Sequence, residues 1–136
     1  MTIDLGAINY PAVIVSVIVM QIIGTLWYMP FVFGKARMAA TGVAAEKIRG
    51  GLVGYQGTIL ASLIAACVIA ILADATGAKG FADGLMLGLL VGIGLVFTAF
   101  AGNYVSESKS LKLLLINAGY PVTGLAVTGV IIGVLG

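Results

Sequence analysis

The chain of 136 residues is 61% hydrophobic and 9% charged, with a net charge of +2 and no histidine. A soluble domain carries about a quarter charged residues, and a nucleic-acid partner draws on a far larger basic surplus. One cysteine and no histidine exclude an internal disulfide and the zinc or copper sites built from nitrogen and thiolate donors, so no metal and no cofactor is expected.

Four uncharged runs cover Leu5–Gly34, Gly50–Ala73, Gly84–Ser106 and Leu113–Gly136. Each exceeds the roughly 20 apolar residues that a helix needs to cross about 30 Å of hydrocarbon. Stretches such as "PAVIVSVIVMQIIG" show none of the alternation of a barrel strand. The pattern predicts an all-α polytopic membrane protein, one domain folded as a bundle of four transmembrane helices at about 9–33, 50–73, 82–105 and 112–135.

In the first span, Gln21, Gly24, Thr25 and Tyr28 recur at three- and four-residue spacing and share a helix face. Only Asp4 precedes this span and no small-residue cleavage site follows it, so it reads as retained rather than as a signal peptide. Loop one, "GKARMAATGVAAEKIRGG", carries Lys35, Arg37, Lys47 and Arg49. Gln56 opens the second span and Cys67 lies in its middle. Loop two has Lys79 alone against Asp74 and Asp83.

In the third span Gly84, Gly88 and Gly92 recur every fourth position and form one groove. Thr98 and Asn103 close that span. The fourth span offers Gly124, Gly129 and Gly133. Such spacing lets backbones approach closely, which drives helix association where no hydrophobic effect operates. The partner helix belongs either to the same chain or to another copy. So much glycine and alanine surface on four short helices favours a homo-oligomer.

Lys109 and Lys112 flank loop three, so six basic residues fall on the side of loops one and three against one on the other. The expected orientation in the cytoplasmic (inner) membrane puts loops one and three in the cytoplasm and both termini outside. Loop one then faces anionic lipid headgroups.

The fourth span also holds "NAGYPVTG". Asn117, Tyr120, Pro121, Gly124 and Thr128 recur at helical spacing. Pro121 lacks an N–H and so frees the carbonyl of residue 117 and bends the helix. Depth comparison gathers Gln21, Trp27, Tyr28, Gln56, Thr98, Asn103, Asn117 and Tyr120 into a polar and aromatic cluster, mostly in the cytoplasmic half of the bundle. Nine of the eleven aromatic residues map to that half, whereas an interfacial belt should mark both faces.

The cluster is read either as interhelical hydrogen bonding or as the lining of a ligand site. Its residues are neutral, and no Asp, Glu, Lys, Arg or His lies within the uncharged runs, which excludes a proton relay of such groups through them. No catalytic constellation is visible, so an enzyme is not expected. The favoured function is an oligomeric bundle that binds or transports a small neutral or apolar ligand. The alternative is a structural or accessory subunit that packs against other membrane proteins through its glycine faces.

At "GTLWYMPFVFGK", "NYVSESKSLKLLLINAGY" and the four-span layout, the chain resembles a bacterial family known as domain of unknown function family 1761. The resemblance points to Trp27, Tyr28, Pro30, Gly34, Lys35, Asn103, Tyr104, Lys112, Asn117, Gly119 and Tyr120, and it implies no activity. Pro121 departs from the family pattern. Four-span trimeric enzymes that use glutathione are similar in size but carry charges inside their second span, where this chain has none.

Overall fold

A computed structural model describes residues 3–27, 51–108 and 110–135, with side chains omitted for 51–55. A short 3-10 turn, Leu5–Ala7, leads into α1 (Tyr10–Trp27); α2 (Gly51–Thr76), α3 (Gly80–Ser106) and α4 (Leu111–Leu135) follow. All four helices are long and apolar enough to cross a membrane. Among the described residues no strand occurs. Loop one and its basic residues, with Tyr28, Pro30, Gly34 and Lys35, lie outside the described residues, as does Lys109.

Local signals set the helix ends. Asn9 caps α1: its Oδ1 accepts from the Ala12 N–H at 3.2 Å and its carbonyl from the Val13 N–H at 3.2 Å. Pro11 sits in the first turn, where a missing N–H costs nothing. Helix α2 runs past its apolar stretch to Thr76 and stops in a Schellman motif. The Ala78 N–H reaches the Ala73 carbonyl at 2.9 Å, the Gly77 N–H reaches the Asp74 carbonyl at 3.3 Å, and Gly77 takes φ +71°. Ser110 caps α4 through its hydroxyl to the Leu113 N–H at 3.1 Å.

The four helices do not form a square. Helix α4 touches each of the other three, and its contact with α3 is the most extensive in the described structure. The glycine rows meet there. A Cβ on Gly84 would strike the Gly129 carbonyl, one on Gly88 would lie 2.7 Å from the Ala126 Cα, and one on Gly92 would lie 3.2 Å from the Val122 Cα. The groove expected to serve either this chain or another copy is therefore filled by this chain's own fourth helix.

On its other flank α4 meets α1 in antiparallel register. Asn9 Nδ2 donates to the Leu135 carbonyl at 2.8 Å, Met20 packs on Gly124, and the Tyr120 ring packs on Gly24. Each of these pairs sums to 144, so the same register sets Ala12 level with Ile132 and Ser16 level with Thr128. Four-residue steps on both helices alternate small against large at three of these levels. Ala12, Ser16 and Thr128 are almost completely buried along this seam.

The α3–α4 pair is tight only near Asn9 and Leu135, hereafter the Asn9 end. Towards Trp27, Ser106 and Leu111, the Trp27 end, the gap is filled by side chains. Tyr104, Leu113, Leu114 and Ala118 form a second core there, with Phe97 and Phe100 against it. Between the two regimes α3 contains a π turn, Gly92–Phe97.

Replacing Gly88 with Leu forces backbone away from backbone and should destabilise the fold by about 1–3 kcal/mol or more. Gly57→Ala, at a site with nothing within 4 Å of a Cβ, should leave stability nearly unchanged. Thermal unfolding in mild detergent compares the two. Equal midpoints would place the α3 glycine row away from α4.

Candidate functional site

Among the described residues, four side-chain bonds link the helices towards the Trp27 end. Gln21 Nε2 donates to Ser62 Oγ at 2.9 Å and links α1 to α2. Trp27 Nε1 donates to the Ile116 carbonyl at 2.8 Å, and Tyr120 Oη donates to the Met20 carbonyl at 3.0 Å. Asn117 Nδ2 donates to Tyr104 Oη at 2.7 Å and links α4 to α3.

The middle two bonds form a reciprocal clasp. The Trp27 ring of α1 lies on Gly119 of α4, where a Cβ would meet it at 2.7 Å. The Tyr120 ring of α4 lies on Gly24 of α1, where a Cβ would meet it at 2.9 Å. A helical carbonyl is screened by side chains three and four residues onward, which lie over the same turn. Gly24 stands four after Met20 and Gly119 three after Ile116, so each glycine admits the ring and uncovers the carbonyl it bonds. Pro121 loosens this part of α4. Trp27 takes the carbonyl one residue before the one whose helical donor Pro121 lacks.

The structure splits the face that the sequence gathers on α4. Tyr120, Gly124 and Thr128 look towards α1, whereas Asn117 bonds to α3. A helix in the middle of a bundle shares one polar stripe between two neighbours. Thr128 is fully buried, and its Oγ1 has no partner among the described residues.

Of the eight expected cluster residues, four are placed otherwise and one is not described. Tyr28 lies outside the described residues. Gln56, Thr98 and Asn103 are exposed, which corrects their assignment to the interior. Thr98 bonds within its own helix, its hydroxyl donating to the Gly94 and Leu95 carbonyls at 2.9 and 3.0 Å. Gln21 is half-buried, but its partner is Ser62 rather than a member of the α4 group.

Tyr104 takes the interior place expected for Asn103, and the π turn is the reason. At about 100° per residue, a straight helix would set Asn103 within ~20° of Gly92 and Tyr104 about 120° away. A π turn bonds i to i+5 and adds about one residue, so Tyr104 arrives over the glycine row. Tyr104 and Asn117 also lean towards their own N-termini, as helical side chains do, and in antiparallel helices that brings them together. Ser62 and Tyr104 are the partners missing from the cluster. Of the two, Tyr104 carried a signal, as one of the residues that the resemblance points to.

The fold and this end of it define a four-span helical membrane protein with a neutral, aromatic, internally bonded polar cluster. A family model described as "Protein of unknown function (DUF1761)" matches residues 11–133. The chain belongs to that family. No curated protein and no solved structure matches it.

Gly24→Ala should destabilise the protein by about 1–3 kcal/mol, because the added methyl meets the Tyr120 ring. The loss should shrink in a Tyr120→Leu background, where the ring is gone. Chemical or thermal unfolding of the two single variants and the double variant measures this coupling; additive effects would rule out the clasp.

Proposed function

We propose that the protein binds, and in doing so sequesters or transports, a small neutral or apolar molecule at the Trp27 end, between α1, α3 and α4. The supporting observation is that the irregularities coincide. The π turn of α3 begins where Gly92 meets Val122, beside Pro121 of α4. Close glycine packing suffices to join α3 and α4 at the Asn9 end. Towards the Trp27 end α3 departs from α-helix, Pro121 removes one backbone donor from α4, and aromatic side chains fill the space between the helices. Departures from local regularity of this kind concentrate at functional sites.

The lining is neutral amide, phenol, indole and hydrocarbon, which suits an uncharged ligand and gives no acid–base pair for catalysis. The reading therefore includes no enzymatic step. It includes no self-association through the α3 glycine row, since α4 occupies that row. The basic residues of loops one and three place the Trp27 end at the cytoplasmic face in this proposal, with both termini outside.

A second reading has its own support. Gln21, Trp27, Asn117 and Tyr120 each donate to a partner in another helix, as the bonds of a purely structural core would. The chain then serves as an accessory subunit of a larger membrane assembly.

Purification in mild detergent, followed by native mass measurement, tests the two. A defined small molecule that disappears in Asn117→Leu supports the ligand reading. A stoichiometric foreign protein, retained in Asn117→Leu, supports the accessory reading. In the bonding-only case Asn117→Leu should lower stability by about 1–2 kcal/mol and release nothing. A reporter active only in the cytoplasm, fused after Gly136, should be silent; activity there overturns the orientation.

A further inference from the structure

The π turn selects which of two adjacent side chains meets Asn117. With it, Tyr104 is buried and bonded to Asn117 while Asn103 is exposed. Without it, Asn103 takes the position over the glycine row and Tyr104 turns away, by the same count of about 100° per residue. Both alternatives satisfy Asn117, because an amide and a phenol each donate and accept. The sequence therefore carries a polar partner for either register.

The segment is packed on one side only, where Gly92, Val96 and Phe97 face the bundle. A Cβ on Gly94 would have nothing within 4 Å, and Ile93 and Leu95 are exposed, so no neighbouring helix grips the outer side of the turn. The other half of α3 is fixed by Gly84 and Gly88 against α4. At the end of the segment the Thr98 hydroxyl bonds back to the Gly94 and Leu95 carbonyls, as a threonine does in either helix form.

We propose that Gly92–Phe97 is a register switch. When the π turn relaxes to α-helix, Thr98–Ser106 rotates by about 100° relative to Gly80–Val91, and Asn103 replaces Tyr104 opposite Asn117. The exchange withdraws a phenol ring from between α3 and α4 and leaves a smaller amide there. The Trp27 end widens, while the α1–α4 clasp and the glycine contact stay as they are. The switch belongs to the helix itself and does not rest on the ligand reading.

Cross-linking reads the register directly. In a Cys67→Ala background, paired cysteines at positions 104 and 117, 103 and 117, or 105 and 117 are treated with a short bis-maleimide in proteoliposomes. The first two pairs both lose the Tyr104–Asn117 bond, so they compare the helix registers alone. Val105, 77% exposed, faces away in both registers and serves as the control. The 104–117 pair should react fast. The 103–117 pair should react about 10- to 1,000-fold more slowly, as expected for a minor state of about 0.1 to 10 per cent, yet go to completion and well ahead of the control.

A 103–117 rate no faster than the control would overturn the switch.

Discussion

In hydrocarbon no water is released when two helices meet, so their association depends on how closely the atoms approach. In this protein that closeness is supplied by glycine at the α3–α4 contact. Gly84, Gly88 and Gly92 lie against the backbone of Gly129, Ala126 and Val122, with no side chain between. Much follows from that contact. It makes α4 the central helix, it fixes the register of the α3–α4 hairpin, and it obliges α1 and α2 to pack on the remaining flank of α4.

A bundle closed this tightly at one end is finished differently at the other, where aromatic side chains of α3 rather than glycines meet α4. Phe97, Phe100 and Tyr104 fill the opening, with Phe100 and Tyr104 edge to face at 6.1 Å. The Tyr104 hydroxyl and the other polar atoms of this end then need partners, since an unpaired donor in a lipid environment is costly. The solution on the α1 flank exploits glycine again, in another role. Gly24 and Gly119 admit a ring and uncover a carbonyl, so one substitution-sensitive position supplies both shape and an acceptor. The same residue type thus joins backbones at one end of the molecule and seats aromatic rings at the other.

The spans were legible because lipid imposes one period and one minimum length, and charges can lie only where water reaches. Gly84, Gly88, Gly92, Gly129 and Gly133 were legible as packing residues because a four-residue step returns to one helix face. Asn117, Trp27 and Tyr120 are bonded to other helices, one of the two readings that their chemistry left open. Gln56, Thr98 and Asn103 were misplaced because depth along the membrane says nothing about azimuth around a helix. For Asn103 even azimuth on a regular helix would have misled, since the π turn advances the register by a residue. Nothing in "GIGLVF" distinguishes a π turn from an α turn, as both bury and expose the same atoms locally.

The sequence by itself determined that the chain crosses a membrane as four helices, that its charges gather in the loops, and that its interior chemistry is neutral. These follow from solvation, which acts on each residue separately. Only the tertiary structure decided that the glycine row of α3 is filled by α4 of the same chain. It alone decided that Tyr104 rather than Asn103 meets Asn117, and that Trp27 and Tyr120 exchange places over Gly119 and Gly24. Those outcomes depend on which helices are neighbours and in what rotation. That is a property of how surfaces fit together, and no single segment carries it.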